Sequence, residues 1–458
     1  LTLPNEVIKL IETNKLSTGH AKILVGLDNA SFVAIMAFNL KQFREFRFGW
    51  PVVLASTFGI SLGMSPLPFY TIGVFAKPLA AEFGWGIDQI MFGLVPFCVV
   101  TVISAPLAGY LSDRYGVRRV ALISMVTFSL AMMSFALNNG SHTLYLFLWG
   151  LLSILSAGTL PITFTKAISR WFHEKRGLAL GMALVGTGIG GAVAKLLAES
   201  LINAYGWRLA YVGIGFLPLV VALPIALIAF HDVDDPKVAK RAAGLAELGR
   251  ETGTVIKQYG FTFAQAIRDW RLWLLGAIFL PLSFAIGGPI PNLETMLGSK
   301  GFDRVDAVIL ASFLGYSVYA GRLIAGYLLD YIWAPAIACA LMIMPAASML
   351  MFTAVDPGYS QMVIAIVLLG VAAGVEYDLL AYLVSRYFGV RSYSRIYGAL
   401  YALFGLGAGF GPATFGWIYS SSGSYDQALY YSMWGFIICS LALLLLGRYR
   451  DEQLKAMV

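Results

Sequence analysis

The chain has 458 residues, 59% of them hydrophobic and 12% charged. Soluble proteins carry about 25% charged residues, so there is too little charge to clothe a water-facing surface, and a soluble enzyme or binding module is excluded. The net charge of +7 does not signal nucleic acid, because Lys and Arg gather in short polar stretches between long apolar runs, the pattern of loops retained on one side of a bilayer.

Residues 1–47 form a polar N-terminal segment without the charged start and apolar core of a cleavable signal peptide. Residues 1–34 read as two short amphipathic helices around the turn Ser17-Thr18-Gly19-His20. They resemble a fragment of the helix-turn-helix region of ParB-type chromosome-partition proteins. No dimerisation region or complete DNA-binding domain accompanies the fragment, so it is set aside as a fusion remnant and no nucleic-acid partner is expected.

Twelve apolar runs follow, at 50–76, 90–111, 118–138, 143–169, 177–204, 208–230, 271–296, 306–329, 334–355, 359–386, 393–419 and 426–447, numbered here as spans 1 to 12. Each reaches the roughly 20 residues that cross a bilayer. Inside lipid every backbone N–H and C=O must be paired within its own element, so runs of this length are predicted to be helices. Basic residues mark alternate loops: Arg114, Arg118 and Arg119 after span 2, Arg170, Lys175 and Arg176 after span 4, and Arg386, Arg391 and Arg395 after span 10. The loops at 139–142 and 420–425 carry none. Both termini are therefore expected in the cytoplasm, with the protein in a bacterial inner membrane and acting as a monomer.

The polar stretch 231–270 divides the chain into halves, 48–230 and 271–448, with a short tail at 449–458. The halves echo each other. "AGYLSD" at 108–113 returns as "AGYLLD" at 325–330, "SRWF" at 169–172 returns as "SRYF" at 385–388, and a Gly-rich span follows each of the latter. The expected architecture is an all-α membrane protein of twelve transmembrane helices in two pseudo-symmetric six-helix bundles, with a site at the midplane between them. Pro66 and Pro68 in span 1 and the run Gly287–Pro291 in span 7 predict kinks at matched places.

The run Gly109-Tyr110-Leu111-Ser112-Asp113-Arg114-Tyr115-Gly116-Val117-Arg118-Arg119 resembles the loop motif G-x-L-x-D-r-x-G-r-r of the major facilitator superfamily. Gly109 permits close helix approach. Asp113 can cap a helix N-terminus or pair with an arginine as a gate latch, and Arg114, Arg118 and Arg119 hold the loop at the headgroups. A degenerate copy keeps Gly321, Arg322, Gly326 and Asp330. Through "EFGW" at 82–85, "RWFHEKRGLALGMALVGTGIGG" at 170–191 and "YGWR" at 205–208, the chain is further similar to monocarboxylate transporters and the oxalate:formate antiporter group.

Ionisable residues inside a membrane are costly and point to function. Arg322 lies eight residues before Asp330, about 12 Å deep at 1.5 Å per residue. A guanidinium can grip a carboxylate with two parallel hydrogen bonds, and the resemblance implies a substrate-binding arginine at this place; the alternative is a scaffold pair with Asp378 or Glu376. Those two acids lie in span 10, about 200° apart around the helix, and are candidates for proton coupling. Tyr70, Tyr316, Tyr319, Phe284, Tyr382 and Tyr401 are candidate cavity liners. The resembling families carry a lysine in span 1 or span 11, whereas neither run has one here. Lys195 in span 5 could supply the second cation or pair with Glu199, and Lys166 is expected to reach out to the headgroups.

Cys98, Cys339 and Cys439 lie far apart in apolar runs with no metal-ligand spacing. No phosphate-binding Gly-Lys-Ser/Thr loop and no nucleophile triad is present, so no enzymatic activity, cofactor or metal is expected. The function read from the sequence is alternating-access transport of a small organic anion, a carboxylate, with protons. Efflux of amphipathic compounds and a non-transporting sensor are the alternatives.

Overall fold

The structure, a computed structural model, describes residues 44–252 and 260–449. The ParB-like segment 1–34 and the end of the tail lie outside the described residues. Apart from an isolated bridge between Gly260 and Gly389, the regular elements described are helices. Among the described residues, ten helical stretches are long and apolar enough to cross a bilayer. The longest, Arg176–Ala229, is interrupted at Gly206, whose φ of 80° suits only glycine readily. A Cβ on Gly213 would stand 2.7 Å from Leu201, so the two arms run side by side and supply spans 5 and 6. Span 1, cut by its own break, completes the set of twelve helices in two six-helix bundles.

The breaks sit where the sequence places proline and glycine. Span 1 consists of Arg44–Ser61 and Leu67–Phe83, separated at Leu62–Pro66. Span 7 consists of Trp270–Gly287 and Pro289–Ser299. Span 4 is also divided, into His142–Ser156 and Pro161–Trp171 around a short turn at Ala157–Thr159. The breaks of spans 1 and 4 pack together: the Met64 N–H donates to Thr159 Oγ1 at 3.0 Å, replacing a helical bond. Backbone groups freed by a kink at this depth require such a partner. Spans 10 and 11, Tyr359–Tyr387 and Tyr393–Ser422, run unbroken.

The second helix of span 1 extends to Phe83, further than its apolar run. It therefore contains Lys77, exposed and seven residues after Tyr70 on the same helix face. This corrects the expectation that span 1 has no lysine: Lys77, Pro78 and Glu82 end the apolar run without ending the helix.

Candidate functional site

The two halves meet most closely at the face carrying the basic loops, and there the repeat becomes geometry. Asp113, at the end of span 2, accepts hydrogen bonds from the backbone N–H groups of Ser394 (3.3 Å) and Arg395 (3.1 Å) at the start of span 11. Asp330, at the end of span 8, accepts from those of Gly177 (2.6 Å) and Leu178 (3.0 Å) at the start of span 5. Each carboxylate thus satisfies orphan N–H groups at the positive end of a helix dipole in the opposite half. The paired glycines make room: a Cβ on Gly109 would lie 2.1 Å from the Ser394 carbonyl, and one on Gly326 2.7 Å from that of Gly177.

Lys166 is buried and bonds Asp113 Oδ1 at 2.7 Å, so it does not reach the headgroups; the buried carboxylate needs its charge. Arg118 is likewise committed inside the protein, donating to the carbonyls of Leu227 (2.8 Å) and Phe230 at the end of span 6. That position complements the negative end of a helix. Arg114 bonds the Tyr110 hydroxyl at 2.6 Å. Gly116, at φ 88°, makes the turn between spans 2 and 3 in a backbone conformation that other residues resist.

Asp330 lies beyond the apolar part of its helix. Burial pushes its carboxyl up to about 7, against the pull of the Gly177 and Leu178 N–H groups and of Lys175 and Arg176. A carboxyl whose value is raised in the closed layer binds its proton better there than when exposed. The stabilisation from that proton is complete in acid and is lost as pH rises through about 7. Raising the pH from about 5 to about 8 is therefore expected to shift the protein toward opening of the basic face, by up to about 1.4 kcal/mol per pH unit. Distance measurements between labels on the two halves will detect the shift, and Asp330→Asn should reduce it.

Toward the midplane stands Arg322, 4% exposed. Its Nε donates to the Gly374 carbonyl of span 10 at 3.0 Å, and its Nη1 to Thr187 Oγ1 at 2.6 Å and to the Leu184 carbonyl, both in the other half. Among the described residues it makes no ion pair with Glu376 or Asp378, so the scaffold pairing considered from the sequence is absent in this conformation. Tyr319 lies one turn above on span 8, with Tyr70 and Arg322 as its electrostatic neighbours. The Tyr401 hydroxyl is 3.4 Å from Ser65 Oγ of span 1. The Tyr377 ring lies 6.0 Å from that of Tyr401 and 4.6 Å from that of Phe404.

Arg322, Glu376, Tyr70 and Tyr319 are thus brought together, with Tyr377, Tyr401, Ser65 and Thr187 as additional members. Tyr382 is not part of this group. Its neighbours are Arg176, Asp330, Arg386 and Tyr449, inside the closed layer. Lys195 is exposed, with no ion pair to Glu199 among the described residues; it lies four residues after Gly191, whose Cβ position meets the Tyr70 ring. Tyr393, Tyr397 and Tyr401 recur every four residues and form a column with centroid spacings of 5.6 and 6.0 Å. That periodicity was available in the sequence as a signal for a polar file, beyond the single Tyr401.

Among the described residues no hydrogen bond joins the halves farther from the basic face than the Ser65–Tyr401 contact. Beyond it, a Cβ on Gly73 would meet nothing, and Tyr70 and Tyr316 are exposed. Spans 2 and 11 still touch on that side, toward the face opposite the basic loops, a Cβ on Gly409 standing 3.5 Å from Cys98, while Tyr70, near Tyr319 of the other half, is accessible there. On that face Glu82 of "EFGW" holds Trp207 Nε1 (2.5 Å) and Arg208 (2.6 Å) of "YGWR", which fastens span 1 to the turn between spans 5 and 6.

Residues 58–360 match the profile of the Major Facilitator Superfamily. The chain is 30% identical over 364 residues to an uncharacterised 38 kDa protein in the 23S RNA operon of Thermoproteus tenax, covering 79% of this chain and 87% of that one. It is 25% identical over 477 residues to Monocarboxylate transporter 9 of Gallus gallus, covering 87% and 92%. Its fold is similar to that of the fucose:proton symporter FucP of Escherichia coli, with a TM-score of 0.64 at 14% identity over 88% and 99% of the two chains. Two matched bundles, the paired aspartate latches and a profile covering more than half the sequence lead to one conclusion: the chain belongs to the major facilitator superfamily of membrane transporters.

Proposed function

We propose that the protein is a secondary active transporter of a small carboxylate, coupled to protons and working by alternating access between the halves 48–230 and 271–448. The basic face is taken as cytoplasmic, which makes this the conformation open to the outside of a bacterial inner membrane, in a transporter acting as a monomer. The observation that carries the reading is Arg322. A guanidinium held at mid-depth by neutral acceptors keeps its charge uncancelled by any ion pair, beside a cleft lined with hydroxyl groups. Such a charge suits an anion entering from the cleft. Similarity to monocarboxylate transporters supports the same solute class. The substrate-contact group is then Arg322 with Tyr70 and Tyr319, with Lys77 and Lys195 as cations toward the mouth. Glu376 and Asp378 handle the proton, while Gly109, Asp113, Gly326 and Asp330 form the gate.

Melting curves of the purified protein with lactate, oxalate and benzoate test the reading. A bound acid at about 100 times its Kd adds about 2.7 kcal/mol to the folded state. Absence of a shift with any of the three, together with no competition among them for uptake into proteoliposomes, would rule out the carboxylate.

A further inference from the structure

We infer that Asp378 is the proton-release site of the transport cycle. It is sealed beneath the span 5 helix Arg176–Leu184 in this conformation, opened to the basic face when that helix withdraws, and discharged by Arg322. This rests on the reading of the protein as a proton-coupled transporter, and it ranks two acids that their spacing in sequence leaves equal.

Asp378 is fully buried, and neither of its carboxyl oxygens has a hydrogen-bond partner. Its lid comes from the other half. A Cβ on Gly181 would stand 3.6 Å from Asp378 Oδ2 and 2.8 Å from the Arg322 carbonyl, so only glycine lets span 5 close so tightly over the acid. The groups facing it are Arg322 from span 8 and the Tyr397 phenol from span 11, while span 5 presents the glycine. The Tyr397 hydroxyl is also buried without a partner. Glu376 has one oxygen, Oε2, likewise buried without a partner, but it keeps a small exposed fraction and lies beside Arg322 and Tyr401.

An ionised carboxylate without a partner is strongly disfavoured in a sealed apolar pocket, so Asp378 enters this state as the neutral acid. Meanwhile Arg322 is occupied elsewhere, and two of its three acceptors, Leu184 and Thr187, belong to the first half. Rocking of the halves withdraws both. The third acceptor, Gly374, lies four residues before Asp378, hence on the same face of span 10. The freed guanidinium turns to Asp378. The carboxyl O–H bond breaks, its proton passes to water at the basic face, and the carboxylate remains paired with Arg322. On return, Thr187 and Leu184 reclaim the guanidinium, and the carboxylate takes its new proton from Glu376, two residues away on span 10, which reloads from water on the opposite face. Thr187 is the positioning residue of this exchange.

The test uses the full chain with its three cysteines replaced by serine, in oriented membrane vesicles, and a membrane-impermeant cationic methanethiosulfonate added to one face at a time. The Asp378→Cys thiol is expected to react from the basic face only, and the Glu376→Cys thiol from the opposite face. Adding Thr187→Val to Asp378→Cys should speed its labelling several-fold, since the closed state loses an acceptor for Arg322. Reaction of the Asp378→Cys thiol from the opposite face, or equally from both, overturns the proposal. Should that variant fail to fold, a hydrophobic carbodiimide applied to the native protein at neutral pH provides a second arm. A covalent adduct on Asp378 that disappears in Asp378→Asn is expected, and its absence overturns the proposal as well. Neither arm uses a solute, so failure of the carboxylate reading leaves this result standing, and the reverse also holds.

Discussion

Arg322→Lys is expected to lower transport by about two orders of magnitude while leaving the protein folded and inserted. The guanidinium holds Gly374 through Nε and Thr187 and Leu184 through Nη1, in a planar fork that an ammonium group does not reproduce. A lysine can retain one of these acceptors but cannot span all of them and present paired donors to a solute. Losing one strong charge-assisted contact costs about 1.5–3 kcal/mol, and about 2.7 kcal/mol corresponds to a factor of 100 in rate. Stability should fall by about 1–3 kcal/mol, the cost of leaving a buried carbonyl such as Gly374 or Leu184 without its donor. Initial uptake rates into proteoliposomes, read with a melting scan, separate the two effects. Near-native uptake by the lysine variant would remove Arg322 from substrate contact.

Much of this site could be read from the sequence because lipid makes charge conspicuous. Arg322, Glu376 and Asp378 interrupt apolar runs, and their depth follows from counting residues back from the basic ends. The latch was legible for a different reason: Asp113 and Asp330 recur in matched strings, and a repeat fixes equivalent places even before either partner is known. The partners themselves were hidden. Arg322 bonds Thr187 and the Leu184 carbonyl, and no local pattern couples residues so distant in sequence. Lys77 escaped because a hydropathy run ends before its helix does. Lys166, one turn from the polar boundary, fitted a snorkelling side chain until Asp113 was found beside it. Tyr382 stands among the candidate cavity liners in the sequence, yet a place one turn beyond Asp378 toward the basic end carries it into the closed layer. Where the two bundles touch decides each of these cases, and that boundary is a property of the assembled halves.

The second large effect concerns the gate. Asp113→Ala removes the acceptor for Lys166 and for two backbone N–H groups at the start of span 11. Both charged groups of the pair are almost fully buried, and removing one partner of such a pair costs about 3–5 kcal/mol because the other is stranded. The Lys166 part of that cost lies within the first half and burdens both conformations, but the Ser394 and Arg395 contacts exist only while the halves meet at the basic face, and each hydrogen bond to the charged carboxylate is worth about 1.5–3 kcal/mol. With about 3 kcal/mol withdrawn from this conformation, its population relative to the opposite one should fall by about 150-fold. Asp113→Asn is milder: the amide oxygen can still accept from an N–H while the charge facing Lys166 is lost. Asp330→Ala removes the equivalent cap on span 5 and should act in the same direction without stranding Lys166. Labels placed on spans 2 and 11 at the basic face should therefore move apart in the order Asp113→Ala, then Asp113→Asn, then native. Unchanged distances across this series would mean that the carboxylate serves only the fold of the first half and does not hold the gate.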